Sequence, residues 1–235
     1  MSYIIAEELE KSFGTGAVAV HAVSGISFRI APGEFVAIMG ESGAGKSTLL
    51  GMLGAMNAPT SGRLQVDGID IYRLNQDQLA DFRREYLGFV FQSFHLVPYL
   101  SVIENVMLPL AVTQRGNPEK RGMALQALSQ VGLADKAGRL PGEISGGEKE
   151  RVAVARAIVN EPPVLLADEP TGNLDSKNSR EIMRMFQRLN DCGMTVIMVT
   201  HSAECAGWAR RVMQLCDGRL KEDRLTAESG LRRAS

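Results

Sequence analysis

The sequence has few cysteines and no marked excess of either charge, and both shortages exclude classes of function. Three of its 235 residues are cysteines, and no two of them form a CxxC pair. We therefore expect neither a zinc site nor a disulfide framework, and a reducing compartment is the default. The formal net charge of −1 provides no basic surface that could bind nucleic acid by counterion release. We accordingly expect no nucleic-acid partner.

Long apolar runs are missing as well. The N-terminal stretch MSYIIAEELEKSFG is interrupted by charged residues, so it does not match a signal peptide. No run approaches the length of about 18 apolar residues that indicates a membrane-spanning helix. These features predict a soluble cytoplasmic chain that reaches a membrane only if another protein holds it there.

What the chain does contain is a set of short apolar segments, and the first of these alternate with polar residues. Alternation over residues 4–6, 18–23 and 26–30 predicts half-exposed strands of an antiparallel sheet. At the other end, residues 222–235 are polar and charged, and we expect them to fray.

A second group of segments is apolar on both faces. Residues 35–39, 164–167 and 196–199 are short, β-branched runs bounded by glycine, proline or charge. Such runs predict parallel strands buried between helices, and hence an α/β core. Residues 93–160, between two of these runs, have a mostly helical pattern, with predicted helices over 102–110 and 118–131, which predicts a helical insertion in that core.

A glycine-rich motif directly follows the first buried run. Residues 40–48 read GESGAGKST and match the phosphate-binding pattern G-x-x-x-x-G-K-[ST] in full, with an apolar helical stretch after them. In such a loop the backbone N–H groups face the β-phosphate, and the lysine reaches the β- and γ-phosphates. The serine offers its hydroxyl to Mg²⁺, and the threonine can bond the α-phosphate. ATP or GTP binding is therefore predicted for Gly40, Glu41, Ser42, Gly43, Ala44, Gly45, Lys46, Ser47 and Thr48.

Two carboxylates follow the second buried run. Asp168 ends an apolar strand pattern, which places it beside the phosphate loop, where it would act on Mg²⁺ through a water. Glu169 comes next and points to the other side of the strand end, where an attacking water could lie. The pair therefore predicts hydrolysis of a nucleotide phosphate.

Together with these motifs, five further features resemble those of the ATP-binding cassette (ABC) ATPases over nearly the whole chain. GESGAGKS is similar to the family's Walker A motif, LLADEP to its Walker B motif and ISGGE (144–148) to its signature. Gln92, in FVFQSF, resembles the Q-loop glutamine, and Asp175 ends a stretch similar to the D-loop. His201 matches the switch histidine, and Phe13 resembles the aromatic residue that stacks on adenine.

The longer stretches FVFQSFHLVPYLSVIENVMLPL and ADEPTGNLD resemble one branch of this family, which contains lipoprotein-releasing, macrolide-export and cell-division ATP-binding subunits. The resemblance implies a P-loop NTPase (RecA-like) α/β core with an N-terminal antiparallel β subdomain and an inserted α-helical subdomain. A single ABC ATPase domain would span residues 1–235. Its nucleotide-binding core would comprise residues 1–92 and 161–235, and its helical signature subdomain residues 93–160.

The resemblance also implies that a second copy of the chain is a partner. In this family, two cassettes pack head to tail around two ATP molecules. Ser145 and the N–H of Gly147, with Gly146 between them, would contact the γ-phosphate of ATP held by the other copy. Glu148 stands where the family usually has glutamine. The helix dipole favours a carboxylate there and nearby basic residues can screen it, so we assign Glu148 no nucleotide contact.

Hydrolysis of ATP is the activity that the resemblance implies, with Mg²⁺ as the cofactor. Glu169 would polarise the attacking water. Mg²⁺ would be held by Ser47, Gln92 and, through water, Asp168. Charge on the γ-phosphoryl group would be stabilised by Lys46, His201 and the second copy's Ser145.

A separate membrane permease is the other implied partner. Residues 93–105 would receive it, which would place the chain on the cytoplasmic face of the inner membrane and favour export or extraction of a lipoprotein, peptide or drug. Two other functions stay open: a non-transporting membrane regulator of the cell-division type, and a soluble DNA- or ribosome-associated ABC ATPase. The span between Lys46 and Asp168 is short and has no heptad pattern, and the chain holds one cassette, which disfavours the latter.

Overall fold

Strands and helices alternate along most of the chain. The computed structural model describes residues 3–14 and 19–226. In chain order the elements are β1 (Ile4–Phe13), β2 (Val20–Ile30), β3 (Phe35–Met39), α1 (Lys46–Leu53), β4 (Ser61–Val66), β5 (Ile69–Asp70), α2 (Gln76–Tyr86), β6 (Leu87–Val90), α3 (Val102–Met107), α4 (Asn117–Gln130), α5 (Gly146–Ile158), β7 (Val164–Asp168), α6 (Ser176–Asp191), β8 (Thr195–Thr200), α7 (Ala203–Ala206), β9 (Arg211–Cys216) and β10 (Arg219–Leu225).

The predicted antiparallel sheet is confirmed. Its strands pair in the order β2-β1-β4-β5, and each pairing is antiparallel. In β1, Ile4, Ala6 and Leu9 are buried, because a bulge after Ala6 shifts the register before the alternation resumes. Val18, which belongs to the predicted pattern, lies outside the described residues.

The second sheet has the order β10-β9-β3-β8-β7-β6 and is parallel from β9 to β6. The three runs that are apolar on both faces form β3, β7 and β8, so the predicted buried parallel strands are confirmed. In β3, Phe35 and Ala37 pack into the apolar cluster that includes α5 and α6, whereas Val36 and Ile38 pack into the cluster that includes α1. The sheet therefore separates two apolar cores.

Helices α3, α4 and α5 lie in the segment predicted to be helical. The predicted helix over 102–110 keeps its α conformation only as far as Met107 and then continues as a 3₁₀ turn to Leu110, because Pro109 has no N–H to donate. Helix α4 begins at Asn117, one residue before the predicted start at Pro118. The assignment of 93–160 to a separate subdomain stays a prediction. No helix in residues 3–14 and 19–226 combines the length and apolarity needed to cross a bilayer.

The prediction that the chain frays from residue 222 is wrong for residues 222–225. They belong to β10, which pairs antiparallel with β9 at the edge of the sheet. The guanidinium of Arg211 donates to both carboxylate oxygens of Asp223, each at 2.7 Å. A bidentate ion pair of this kind stabilises a strand whose composition alone indicates a solvated end. Residues 227–235 lie outside the described part of the chain.

Helix α5 carries a charged side chain into the core. Glu150 is 1% exposed, although it lies among charged residues in the sequence. Burial raises the pKa of its carboxyl to about 8, and the charge of Arg156 opposes this rise. Glu150 is therefore held mainly in its neutral form at neutral pH.

Replacing Glu150 by glutamine should stabilise the protein increasingly as the pH rises. A carboxyl whose folded pKa lies above its unfolded pKa contributes stability at low pH, and this contribution is lost as the pH rises from about 4.5 through about 8. Calorimetric Tm values of Glu150→Gln and wild type should agree within about 1 °C at pH 4.5 and differ by several degrees at pH 8. A Tm difference that is constant with pH would contradict this assignment.

Candidate nucleotide site

The phosphate-binding loop connects β3 to α1. Gly43 and Gly45 have φ of 84° and 93°, in the left-handed region that glycine adopts without steric cost. A Cβ at Gly45 would also collide with the carbonyl oxygen of Ala22 on β2. Helix α1 begins after Gly45 without a side-chain cap and without an acidic residue in its first turn. Its first N–H groups are thus available to an anion.

Lys46 is the buried cation of this loop. Its ammonium donates to the carbonyl oxygens of Gly40 at 2.8 Å and Glu41 at 2.9 Å, and the residue is only 8% exposed. The lysine thus closes the loop onto itself. These carbonyls satisfy its hydrogen-bonding capacity only in part, because an ammonium has three N–H donors.

Asp168 and Glu169 lie at the carboxyl end of β7, on opposite sides of the site. The hydroxyl of Ser47 donates to Asp168 at 3.1 Å, and burial raises the pKa of Asp168. Glu169 has φ of 47°, and its Oε2 lies 2.9 Å from Nδ1 of His201. The left-handed backbone turns its side chain away from Asp168 and toward the end of β8.

One cleft of about 720 Å³ brings the phosphate-binding loop together with Glu169 and His201, whereas Asp168 contacts Ser47 and does not itself line the cleft. It is lined by residues of β2, by the phosphate-binding loop and the start of α1, and by Gln92, Glu169 and His201. Parallel strands direct their carboxyl ends to the same edge of a sheet, which is where α/β proteins bind ligands. The full lining is Val20, His21, Ala22, Glu41, Ser42, Gly43, Gly45, Lys46, Ser47, Thr48, Gln92, Glu169 and His201.

Phe13 on β1 and His21 on β2 differ in their position relative to the cleft. Phe13, predicted to stack on adenine, is 46% exposed with the ammonium of Lys11 5.2 Å from its ring centroid, and it does not line the cleft. His21, which belongs to no sequence motif, does line the cleft, and its Nδ1 lies 2.8 Å from the hydroxyl of Ser12. Its position depends on the pairing of β1 with β2, which no local motif indicates.

The signature residues lie apart from this cleft. Ser145 caps α5, and its hydroxyl donates to the carboxylate of Glu148 at 2.8 Å while the N–H of Ser145 donates to the same oxygen at 2.8 Å. These hydrogen bonds lower the pKa of Glu148. The pattern S-x-x-E is the sequence signal of a capping box and could have identified this contact. Glu148 thus binds Ser145 first of all, and the positive charges of Lys136 and Arg151 lower its pKa to a smaller extent.

The start of α6 lies directly beside the signature. Asp175 caps α6 by accepting from the N–H of Asn178 at 2.9 Å and from its side-chain amide at 2.7 Å. A Cβ at Gly147 would lie 2.6 Å from Cγ of Asn178. Gly147 and the cap at Asp175 are therefore in close contact within one chain.

Comparisons with known proteins agree with this geometry. The family described as ABC transporter matches residues 23–172. The macrolide export ATP-binding/permease protein MacB of Syntrophobacter fumaroxidans is 45% identical over 221 residues, and that of Chlorobaculum tepidum is 46% identical over 222. These matches cover 93% and 94% of this chain but 31% and 34% of the relatives, so the chain spans about a third of their length.

The dimeric structure of a post-hydrolysis state of the ATP-binding cassette MJ0796, bound to ADP and Pi, superposes with a TM-score of 0.87 at 40% identity. It matches over 94% of this chain and 98% of its own. The structure of cbiO1 from Clostridium perfringens, part of the ABC transporter complex cbiONQ, gives a TM-score of 0.83 at 30% identity, over 94% and 88% of the two chains. The fold and the site therefore define a P-loop ATPase of the cassette type. The chain belongs to the ABC transporter family.

The two signature glycines should respond oppositely to alanine. Gly146→Ala should raise stability by about 0.5–1 kcal/mol, because its Cβ meets open space and alanine favours the helix. Gly147→Ala should lower stability by about 1 kcal/mol, because it displaces Asn178 from the cap of α6. Urea denaturation followed by circular dichroism measures both. Equal effects of the two substitutions would contradict the close contact at Gly147.

Proposed function

We propose that the chain binds and hydrolyses Mg-ATP between two copies of itself, and that this cycle drives a membrane permease in export or extraction. The observation that carries the proposal is the single cleft in which Lys46, Ser47, Gln92, Glu169 and His201 converge. A phosphate loop, a carboxylate for the attacking water and a histidine at the same edge of a sheet are the parts that phosphoryl transfer needs.

The phosphate loop would hold the β- and γ-phosphates. Its glycines leave backbone N–H groups unblocked, and the ammonium of Lys46 lies within the loop at the start of α1. Positive charge and N–H dipoles at this place stabilise the charge that develops on the phosphoryl oxygens during transfer.

The neighbouring oxygen donors fit a Mg²⁺ ion. The hydroxyl of Ser47 and the carboxylate of Asp168 are 3.1 Å apart, and such hard oxygen ligands are those that Mg²⁺ prefers. The side-chain amide of Gln92, in the same cleft, would supply a third oxygen. When bound, Mg²⁺ would neutralise phosphate charge. Burial raises the pKa of Asp168, and a nearby dication would restore its ionised form.

Glu169 is the group proposed to hold the attacking water. Its Oε2 is oriented by Nδ1 of His201, which leaves Oε1 to accept from a water facing the γ-phosphate. The water oxygen would bond to the γ-phosphorus as the bond to the β–γ bridging oxygen breaks, with ADP as the leaving group. Preorganised acceptors of this kind contribute about 10²–10⁴-fold to a rate.

A second copy would complete the site. Ser145 and Gly146 are exposed and lie outside the cleft of their own chain, while Gly147 is buried against Asn178. The start of α5 presents N–H groups and a partial positive charge, which suits the γ-phosphate of ATP held by another copy. Support comes from the similar cassette MJ0796, two of whose solved structures are described as dimeric.

The permease would dock on residues 93–105, which would place the chain at the cytoplasmic face of the inner membrane. Leu96 in this segment packs against the apolar core, but Tyr99 is 79% exposed. A large aromatic residue at this exposure is typical of an interface. The relatives named as macrolide exporters support export, with a lipoprotein, peptide or drug as the class of cargo.

Glu169→Gln should separate ATP binding from hydrolysis. The amide keeps the shape and can accept from His201, but it attracts the water less strongly, so turnover should fall about 10²–10⁴-fold while ATP affinity is retained. Light scattering after size exclusion should then show a monomer without nucleotide and a dimer with Mg-ATP.

Two control variants accompany Glu169→Gln in this experiment. Combined with it, Lys46→Ala should abolish both ATP binding and the dimer, and Ser145→Arg should abolish the dimer while leaving ATP binding intact. Undiminished hydrolysis by Glu169→Gln, or by Lys46→Ala alone, would refute the proposed site.

Tyr99→Ser should reduce association with membranes. When the chain is expressed with a tag in its native cells, the fraction that sediments with membranes should fall at least about threefold, because an exposed aromatic anchor is lost. Leu225→Ser is the matched control, since Leu225 is 75% exposed on β10, away from this segment. Equal loss in both variants would argue against docking at 93–105.

A further inference from the structure

We propose that Arg156 is a positioning residue that fixes the backbone carrying Gln92 to the signature helix α5. This inference rests on the proposed function only through the role of Gln92 as a Mg²⁺ ligand. Its structural part, that Arg156 holds residues 93–95 in an unusual conformation, stands independently of that role.

The guanidinium of Arg156 binds two successive carbonyl groups. Nη1 donates to the oxygen of His95 and Nη2 to the oxygen of Phe94, each at 2.6 Å. Charge-assisted bonds of this length are among the stronger hydrogen bonds in proteins, and the planar fork of arginine suits two parallel acceptors. A lysine could not reproduce both contacts, because its ammonium is a point charge on a flexible stem.

The two residues whose carbonyls are bound have an unfavourable backbone. Phe94 and His95 have φ of 56° and 49°, so two successive residues other than glycine lie in the left-handed region. Such a conformation persists only where the surroundings impose it. The bidentate contact with Arg156 offsets the cost of this left-handed backbone. The contact forms only when both carbonyl groups face the same side, as they do in this turn.

Gln92 precedes this turn and forms a second attachment of the segment. Its carbonyl oxygen accepts from the side-chain amide of Asn173 at 2.9 Å, in the loop that follows Glu169. The segment is therefore fastened to the catalytic loop at Gln92 and to α5 at Phe94 and His95. A shift of either attachment moves the side-chain amide of Gln92 relative to the cleft.

Helix α5 connects this attachment to the signature. Arg156 lies ten residues after Gly146 in an uninterrupted helix, a separation of about 15 Å. Because the helix is rigid, the position of Ser145 and the position of Gln92 are mechanically linked within one chain.

The structural part is tested by hydrogen–deuterium exchange of the nucleotide-free protein. In Arg156→Gln, amides of residues 93–97 should exchange at least about tenfold faster, while those of β3 and α1 stay unchanged. Arg156→Lys should give an intermediate increase. The matched control is Arg151→Gln, on the same helix, where the native arginine lies 3.6 Å from Glu181 and not near this segment.

A glycine substitution provides the decisive rescue. His95→Gly removes the cost of a left-handed residue, so in the Arg156→Gln background it should return the exchange rates toward the wild-type values. Unchanged exchange in Arg156→Gln, or an equal increase in Arg151→Gln, would overturn the inference, as would failure of the rescue. If Arg156→Gln does not fold, the same comparisons are made with Arg156→Lys, and the same outcomes decide.

The link to Gln92 is tested by kinetics. Arg156→Gln should lower kcat about tenfold and raise the Mg²⁺ concentration for half-maximal activity several-fold, with the ATP Kd within about threefold of wild type. In a Gln92→Ala background it should have no further effect, because both act through the same group. Wild-type kcat in Arg156→Gln would overturn the inference and leave the proposed function intact. A wild-type chain that hydrolyses no ATP would instead refute the proposed function, and the exchange data would still decide the role of Arg156.

Discussion

The register of the parallel strands is the constraint on which the candidate site depends. Met39, at the end of β3, pairs with Thr200, and Asp168, at the end of β7, pairs with Val199. The strands β3, β7 and β8 are distant in sequence, yet in the register of the sheet their carboxyl ends differ by at most one residue. Since a slip of one residue would turn every side chain to the opposite face, the apolar faces of these strands fix the register and with it the site.

The two sheets meet at the phosphate-binding loop, and this contact determines which residues the loop can contain. The carbonyl of Ala22 on β2 approaches Gly45 so closely that no Cβ fits between them, and it also lies 2.9 Å from a Cβ built on Gly218. A turn that has to bind phosphate through its backbone is thus also the place where the antiparallel sheet packs against the core. Glycine at position 45 serves both requirements.

The parts of this structure that could be predicted from sequence are those with local causes. β3, β7 and β8 are runs that are apolar on both faces, and the phosphate-binding loop is a contiguous motif between a strand and a helix. β10 was missed because its stability depends on an ion pair between Arg211 and Asp223, and His21 was missed because its place in the cleft depends on strand pairing. The contacts of Arg156 could not be predicted from the sequence either, since its two carbonyl partners lie in a turn more than sixty residues away.

The hydrogen bonds that Lys46 donates to its own loop determine the conformation of that loop between catalytic cycles. Because two carbonyl groups of the loop already surround this ammonium, the loop keeps its curved shape without a nucleotide to organise it. The entropy of ordering the loop is then lost once, when the chain folds, and not again each time a nucleotide arrives. The phosphates of an arriving nucleotide would bind to a loop that is already ordered. The loop would keep this conformation after the product dissociates.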